Sequence, residues 1–360
     1  MAEVTMAVAA RSDVGRARTM NEDAFSVADL ETGAEVQFDS GAHAFDLSER
    51  GVLLALSDGM GGHSAGEVAS ALVLESLRLA MAAPQGDGAI EHKIEAAVRG
   101  ANTKVHEAAQ TDGKRGMGAT LTALAVHARE AYIVEVGDSR AYLLRNGRLR
   151  QITRDQSLVQ FMVDSGVMTP EDARTSNRKN VILQAMGLGD DVRAAIGRLS
   201  LRRRDRFLVC SDGISNSMSD DELRSLLADH DPETACTKMI DLANERGGKD
   251  NLTAIVAHVA GLGLDLPAQS ESVTSTIEVL QEYQPLPGGP PAVAAPRPAP
   301  KLEAAVAPPA PVVAEPAAMA AEPAVVEPPA PAHLARWAIV AAAIVAVTVA
   351  AWVAGGLLHK

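Results

Sequence analysis

The same tripeptide occurs twice in this sequence, each time directly after a short apolar run, and its residue types could do chemistry. Ser57-Asp58-Gly59 follows LLAL, and Ser211-Asp212-Gly213 follows FLVC. Only a short side chain such as Asp can aim a carboxylate back over the end of the preceding strand, and Gly lets another group approach the backbone closely. An isolated Asp-Gly is an ordinary turn, but the repetition in one context favours a shared role.

Three further turns place acidic residues beside apolar runs: Asn21-Glu22-Asp23, Val136-Gly137-Asp138-Ser139-Arg140 and Lys249-Asp250-Asn251. Carboxylates that converge without neutralisation repel one another and raise each other's pKa values. Mg²⁺ or Mn²⁺ resolves this conflict, because hard cations bind carboxylates, backbone carbonyls and water. No set of His and Cys residues has the spacing of a zinc site. The turns therefore predict a magnesium or manganese site with oxygen ligands.

Short apolar runs bounded by Gly, Asp or Asn predict the strands that must position these turns. They are Val52–Ser57, Leu121–His127, Ala131–Val136, Ala141–Leu144, Phe207–Cys210 and Leu252–Val259. Asn146-Gly147 predicts a two-residue hairpin, since both positions of a type I′ turn need positive φ.

Helices are predicted in blocks between the strands. Ser64 and Glu67 have the spacing of a capping box, and apolar residues from Ile90 to Ala108 repeat at helical spacing. Two further helical segments are predicted at Leu223–Leu227 and Ala235–Ala243. This order favours an α+β fold, with helices layered on antiparallel sheet, over a doubly wound parallel sheet.

Composition excludes several function classes. The chain carries 33 Lys and Arg against 46 Asp and Glu, a net charge of −13, and only 3% of its residues are aromatic. Nucleic acid is therefore a poor partner, because both the charge and the stacking surfaces that it needs are missing. The two cysteines, Cys210 and Cys236, exclude a disulfide scaffold and are predicted to pack in the interior.

The composition also divides the chain into three parts. Residues 1–260 read as one globular domain, and residues 261–335 read as a disordered linker rich in Pro and Ala. Residues 336–360 contain Trp337–Leu358, an uncharged run of the length needed to cross a bilayer. The sequence shows no signal peptide. We therefore expect a single-pass inner-membrane protein with a C-terminal anchor and a cytoplasmic domain.

In order along the chain, the motifs resemble those of the metal-dependent serine/threonine protein phosphatases of the 2C type, the PPM family, in its bacterial branch. They are SDVG with Arg18 and NED, then DGMGGH, GMGATLTA, VGDSRAYL, SDG and GGKDNLTAI. The resemblance covers about residues 7 to 259. It implies a four-layer α-β-β-α sandwich, in which helix pairs flank two antiparallel sheets.

The resemblance also implies roles for single residues. Asp58 would bridge two Mn²⁺ or Mg²⁺ ions, the carbonyl of Gly59 would bind one of them, and Asp23 would contribute to the second ion through water. Asp212 and Asp250 would hold the first ion, and Asp138 with Asp212 corresponds to a pair that holds a third, weaker ion. Arg18 would grip the phosphate, because a guanidinium can pair with two phosphoryl oxygens at once.

One position departs from the family pattern. Many eukaryotic members have a His after the Asp-Gly as a proposed general acid, whereas this chain has Met60, which cannot donate a proton. His63, three residues further on, is the alternative candidate, and it could equally be the residue that precedes a capped helix. A metal-bound water is the other candidate, so the source of the proton stays open here.

The resemblance implies hydrolysis of phosphoserine and phosphothreonine in proteins by a water held between two ions. The expected partners are phosphorylated proteins, among them Ser/Thr kinases and their substrates at the cytoplasmic face of the membrane. Basic residues of the segment between Asp155 and Asn180, namely Arg174, Arg178 and Lys179, could meet a phosphopeptide, or they could be solvated. The alternative is a catalytically weak phosphoprotein-binding protein or a scaffold of the cell envelope.

Overall fold

A computed structural model of the chain describes residues 4–47, 51–61, 65–84, 88–111, 114–283 and 293–294. The chain divides into two units, residues 1–300 and residues 301–360, and all of the described residues belong to the first. The strands of this unit are β1 (Thr5–Asp13), β2 (Asp23–Asp29), β3 (His43–Asp46), β4 (Val52–Met60), β5 (Gly118–Ala119), β6 (Leu121–His127), β7 (Glu130–Val136), β8 (Arg140–Arg145), β9 (Arg148–Gln151), β10 (Val181–Ile182), β11 (Ala195–Ser200), β12 (Arg206–Cys210), β13 (Leu252–Ala260), β14 (Ile277–Gln281) and β15 (Val293–Ala294).

The strands form two large antiparallel sheets. The first sheet has the spatial order β3-β1-β13-β12-β8-β9, and the second has the order β14-β11-β7-β6-β4-β2, with β5 paired to β4. A separate short pair joins β10 to β15. Each sheet therefore brings together strands that lie far apart in the sequence.

Seven α-helices accompany the sheets in this part of the chain. They are α1 (Ala65–Ala82), α2 (Ile90–Ala109), α3 (Leu158–Asp164), α4 (Pro170–Thr175), α5 (Asp212–Ser215), α6 (Asp220–Asp229) and α7 (Pro232–Glu245). Side-chain caps fix the start of several of them. Ser219 and Glu222 form a reciprocal capping box at α6, and Asp231 accepts a hydrogen bond from the backbone N–H of Thr234 at α7.

Three hydrophobic clusters show that the layers are helix, sheet, sheet and helix, as predicted. One cluster joins α1 and α2 to the second sheet, one lies between the sheets, and one joins the first sheet to α5, α6 and α7. The strand β4 is apolar throughout because both of its faces are buried. Leu53 and Ala55 face the helices, while Leu54 and Leu56 face the other sheet. Among the described residues, the buried members of all three clusters lie within residues 4–273, inside the first unit.

The six strands and four helical segments predicted from the sequence are confirmed within one to three residues at most ends. The hairpin is also confirmed, because Asn146 and Gly147 have φ of 53° and 71° and connect β8 to β9. Ser64 lies outside the described residues, so its part in the capping box stays a prediction.

The predicted start of the linker at residue 261 is wrong, because the folded unit continues to residue 283. Leu264 and Val273 are buried in the cluster between the sheets, and β14 pairs with β11. The carboxylate of Glu271 lies 2.9 Å from the guanidinium of Arg145, which is fully buried and also forms an ion pair with Asp205. Residues 261–283 directly precede the Pro/Ala-rich region in the sequence, but they are folded. Their alternating apolar residues form the edge strand β14.

The predicted membrane anchor lies outside the described residues, as does most of the predicted linker. In the ranges given above, no helix combines the length and the apolar character needed to cross a membrane.

Candidate metal centre

The acidic turns meet at one end of both sheets, where they surround a cavity of about 40 Å³. Asp58 comes from β4 of the second sheet, and Asp138 lies between β7 and β8. Asp212 follows β12 and Asp250 precedes β13, both in the first sheet. The lining residues are Arg18, Glu22, Asp58, Gly59, Met60, Thr120, Asp138, Asn180, Ile182, Asp212, Asp250 and Asn251.

The glycine of each Ser-Asp-Gly is required by a close backbone approach. A Cβ at Gly59 would lie 2.1 Å from the carbonyl oxygen of Gly66, and a Cβ at Gly213 would lie 2.0 Å from that of Asn251. Neither distance is possible for a real side chain. The structure thus confirms that Gly allows another group to approach at both turns, and in this structure that group is backbone.

Hydrogen bonds to a neighbouring segment hold Asp58 in place. Its backbone N–H donates to the hydroxyl of Thr120 at 2.9 Å, and the N–H of Thr120 donates to the carbonyl of Asp58 at 2.9 Å. The hydroxyl of Ser57 donates to the carbonyl of Thr120 at 2.6 Å. The backbone that carries the carboxylate is therefore fixed on both sides by Thr120, a residue to which the sequence analysis gave no role.

Asn251 positions the loop that precedes β2. Its side-chain amide donates to the carbonyls of Val14 and Met20, both at 3.0 Å, and its oxygen accepts from the N–H of Glu22 at 2.9 Å. The motif KDN contains this residue, but only the structure shows that it ties the loop bearing Arg18 to the start of β13.

The structure brings Glu22, and not its neighbour Asp23, into the wall of the cavity. Asp23 is directly opposite Asp58 in the ladder of β2 and β4, yet it is buried behind the cavity, where its Oδ2 accepts from the hydroxyl of Thr253 at 2.8 Å. The side chains of successive residues in an extended segment point to opposite sides, which explains why Glu22 lines the cavity and Asp23 does not. The water-mediated role of Asp23 stays a prediction, and Glu22 is the acidic residue that sequence reasoning missed.

Burial and mutual repulsion together raise the pKa values of the carboxylates at the cavity. Burial and the surrounding carboxylates hold the pKa values of Asp58 and Asp212 well above their usual range. Burial and the charge of Asp155 raise the pKa of Asp138 to about 7, and burial raises the pKa of Asp23 to about 6. In the absence of a cation, the centre therefore holds protons in place of positive charge.

The donor set fits hard divalent cations. It consists of oxygen ligands on partly buried carboxylates, and Oδ1 of Asp23 is buried without a hydrogen-bond partner. In the part of the chain that the structure describes, no three His, Cys, Asp or Glu side chains form a closed metal-binding group. Carbonyl and water ligands would have to complete each coordination shell, and Mg²⁺ and Mn²⁺ commonly retain such ligands.

Arg18 lies beside the carboxylates, as the resemblance implies. Its Nη2 donates to Oδ2 of Asp250 at 3.0 Å, and its Nε is buried without a partner. Burial lowers the pKa of Arg18, but the charge of Asp250, the hydrogen bond to it and the charges of Asp58 and Glu22 together outweigh this effect, and the net shift is upward. A permanently charged guanidinium with an unsatisfied donor therefore faces the site, where an anionic oxygen could accept from it.

The remaining predicted residues have different outcomes. Met60 lines the cavity, whereas His63 lies outside the described residues, so its role stays a prediction. Both cysteines are fully buried, as predicted, and burial raises the pKa values of Cys210 and Cys236 to about 12. A thiol with so high a pKa is a poor nucleophile.

A second, larger cavity of about 580 Å³ extends outward from Asp138 and Asp212. The helices α3 and α4 and the segment that follows them form one wall, and α5 and α6 contribute to the other. Of the basic residues predicted near the site, Arg174 and Lys179 line this groove, while Arg178 does not. The positive charge of Lys179 lowers the pKa of Asp212, although the carboxylates outweigh it.

Comparison with known proteins agrees with this geometry. The family model of protein phosphatase 2C matches residues 35–257. The serine/threonine protein phosphatase PstP of Mycobacterium tuberculosis is 40% identical over 265 residues, which are 72% of this chain and 46% of PstP, so the chain spans about half the length of that relative. Protein phosphatase PhpP of Streptococcus pneumoniae is 33% identical over 255 residues, which are 69% of this chain and 95% of PhpP.

A solved structure supports the same assignment. The catalytic domain of PstP in complex with two manganese ions is 37% identical, has a TM-score of 0.59, and covers 71% of this chain and 99% of its own. The relatives and this solved structure each align with about 70% of this chain. The chain belongs to the protein phosphatase 2C family of serine/threonine phosphatases.

Proposed function

We propose that this chain hydrolyses phosphoserine and phosphothreonine esters of proteins with the help of divalent cations. The observation that carries the proposal is the convergence of Asp58, Asp138, Asp212 and Asp250 with Arg18 at one cavity. The family relatives are named serine/threonine protein phosphatases, and one of them was solved with two manganese ions.

The residues that would hold the cations are those of the acidic cavity. Asp58 and the carbonyl of Gly59, in β4 of the second sheet, would hold the cations together with Asp212 and Asp250, which lie next to strands β12 and β13 of the first sheet. Asp138, beside Asp212, is the candidate for a third ion. When bound, the cations would supply an acidified water and neutralise charge on the phosphoryl oxygens.

The protein's own groups then have separate tasks. Arg18 binds phosphoryl oxygens, and its contact with Asp250 keeps the guanidinium at the edge of the cavity. Thr120 and Asn251 hold the backbone of two acidic turns so that repulsion cannot separate the carboxylates. The groove lined by Arg174 and Lys179 receives the peptide on either side of the phosphorylated residue.

The location of the enzyme is part of the proposal. Trp337–Leu358 is the only support for a membrane anchor, and it would hold the catalytic unit at the cytoplasmic face of the inner membrane. There, the unit would reverse the action of Ser/Thr kinases, because tethering raises its effective concentration near membrane-bound substrates.

Replacing Asp58 with Asn tests the chemistry. We expect Mn²⁺-dependent hydrolysis of p-nitrophenyl phosphate to fall by roughly a thousandfold, because the carboxylate that would bind both ions is lost. Asp221→Asn is the matched control, since that side chain is 94% exposed and does not line the acidic cavity. Turnover that survives in Asp58→Asn and in EDTA would contradict a metal-dependent mechanism.

Removing residues 301–360 tests the tether. The truncated protein should hydrolyse p-nitrophenyl phosphate at the rate of the full chain but dephosphorylate a kinase embedded in vesicles more slowly. Equal rates on the embedded kinase would refute the tether and leave the catalytic proposal intact. A truncated protein with no activity on either substrate would instead point to the scaffold.

A further inference from the structure

A cavity of about 390 Å³ lies apart from the metal centre and has no function in the proposed reaction. It shares no lining residue with the acidic cavity. It opens beside α3 and is bounded by β7, β11 and β14. A volume of this size is typical of pockets that hold small organic ligands.

One wall of this cavity belongs to the segment that the sequence analysis assigned to the linker. Ile277 and Val279 of β14 line it, as does Tyr283. Phe161 of α3 lines it from another side, and the side chains of Val279 and Phe161 are 58% and 48% exposed. The mouth therefore presents apolar surface to solvent.

The wall also contains a buried acid without a full set of partners. Glu135 of β7 is 1% exposed, and its Oε2 accepts from the hydroxyl of Thr122 at 3.2 Å. Its Oε1 is buried with no hydrogen-bond partner. A buried carboxylate oxygen left in this state destabilises the folded protein, and burial raises the pKa of Glu135 well above its usual range.

The charge around the cavity is negative. Asp155, Asp164 and Glu282 line it together with Glu135, and Arg154 is the one basic residue in the lining that the structure describes. Arg154 is already paired with Asp164 at hydrogen-bond distance. Asp155 forms a bidentate ion pair with Arg140, which does not line this cavity. A cationic group inside the cavity would thus meet favourable potential, and an anionic group would not.

We propose that this cavity binds a small amphiphilic amine, with its apolar body against Ile277, Val279 and Phe161 and its ammonium group donating to Glu135. The apolar body buries the exposed surface at the mouth. The ammonium group satisfies the oxygen that the protein leaves without a partner, as a charge-assisted hydrogen bond. A neutral apolar molecule would bury the apolar surface but would leave this oxygen of Glu135 without a partner.

The cavity is connected to the metal centre through Gln156, which also lines it. The Nε2 of Gln156 donates to the carbonyl of Glu135 at 3.0 Å, and its Oε1 accepts from the N–H of Gly137 at 3.0 Å. The backbone N–H of Gln156 donates to the carbonyl of Gly137 at 2.7 Å. Gly137 directly precedes Asp138, so a ligand that moves Gln156 changes the position of that carboxylate.

Binding is tested on residues 1–300 in EDTA, so that its outcome does not depend on phosphatase activity. The probes are 2-phenylethylamine, the isosteric neutral 2-phenylethanol and the anionic 3-phenylpropanoate, each titrated by two-dimensional NMR. We expect the amine to bind at least tenfold more tightly than the alcohol, and 3-phenylpropanoate to bind least. No binding of the amine at 10 mM, or equal binding of amine and alcohol, would overturn the proposal.

Two variants locate the site. Ala195 lies directly opposite Glu135 in the ladder of β11 and β7, so Ala195→Leu should fill the space beside the carboxylate and weaken amine binding at least tenfold. Ala44→Leu on the exposed edge strand β3 is the matched control and should bind like the unchanged protein. Glu135→Gln should reduce the preference for amine over alcohol to less than twofold. Unchanged amine affinity in Ala195→Leu, or a preserved preference in Glu135→Gln, would refute the assignment.

The connection to the metal centre has its own measurement. Saturating 2-phenylethylamine should change the kcat of the full chain on p-nitrophenyl phosphate at least twofold, and it should not do so in Ala195→Leu. An unchanged kcat at saturation would refute the coupling through Gln156.

Discussion

The repulsion among the buried carboxylates predicts that removing one of them stabilises the protein when no metal is present. Asp138 has a pKa of about 7 in the folded state, against 3.8 for an unperturbed Asp. The folded state therefore binds more protons than the unfolded state between these pH values. Because stability falls with rising pH wherever the folded state binds more protons, the free energy of unfolding declines across this window.

The size of the effect follows from the shift. The pKa of Asp138 differs by about three units between the folded and unfolded states, and each unit corresponds to 1.36 kcal/mol. Between pH 4 and pH 8, ionisation of Asp138 should therefore lower the free energy of unfolding by about 4 kcal/mol. Asn cannot ionise and has nearly the same shape as a protonated Asp. Asp138→Asn should therefore equal the unchanged protein in stability at pH 4 and exceed it by about 4 kcal/mol at pH 8, in EDTA.

Urea unfolding of residues 1–300, followed by circular dichroism at several pH values, measures this difference. Asp221→Asn is the control, since its exposed side chain should leave the pH dependence unchanged. Adding Mn²⁺ at pH 8 should stabilise the unchanged protein more than Asp138→Asn, because cations bind the deprotonated carboxylates. If Asp138→Asn were no more stable than the unchanged protein at pH 8 in EDTA, the crowding of charges inferred from the structure would be refuted.

Three further changes test other contacts. Gly213→Ala should lower Mn²⁺-dependent kcat on p-nitrophenyl phosphate about a hundredfold, since the added Cβ displaces Asn251 by an ångström or more; an active variant would contradict the close approach. Glu271→Gln should lower the urea-derived free energy of unfolding by about 1–3 kcal/mol with kcat unchanged, because Arg145 loses a charged partner; an unchanged stability would show that the contact contributes nothing. Lys179→Ala should raise KM for an acidic phosphopeptide about tenfold at low salt but not KM for p-nitrophenyl phosphate, and equal effects on both would place Lys179 outside peptide binding.

The strands could be predicted from the sequence because both sheets of a sandwich bury their central strands on two faces. Such strands are continuous apolar runs, and β4, β6, β12 and β13 stand out for that reason. Edge strands lack such a continuous apolar run. β14 carries Glu278 beside Ile277 and Val279, and only its pairing with β11 makes it part of the sheet, so its segment was assigned to the linker.

The carboxylates of the site could be predicted, but the groups that hold them could not. An Asp at the end of an apolar run is visible in one dimension, whereas the bond from Asp58 to Thr120 joins residues 62 positions apart. The choice between Glu22 and Asp23 depends on which way each side chain points from the start of β2, and the motif contains both. Sequence motifs thus locate an acidic segment and leave its orientation to tertiary contacts.

The two Ser-Asp-Gly turns show how the fold holds like charges together without a metal. The hydroxyl of Ser57 bonds to the backbone of Thr120, and the hydroxyl of Ser211 accepts from the N–H of Thr253, so a serine and a threonine fix each turn to its neighbour. The hydroxyl of Thr253 also donates to Asp23, which links the two sheets behind the site. The bonds of Ser57 and Ser211 join only hydroxyl and backbone groups, so they do not change when a carboxylate gains or loses a proton. These two bonds can therefore hold both turns in place while protons and cations exchange at the centre, whereas the bond from Thr253 to Asp23 depends on a carboxylate.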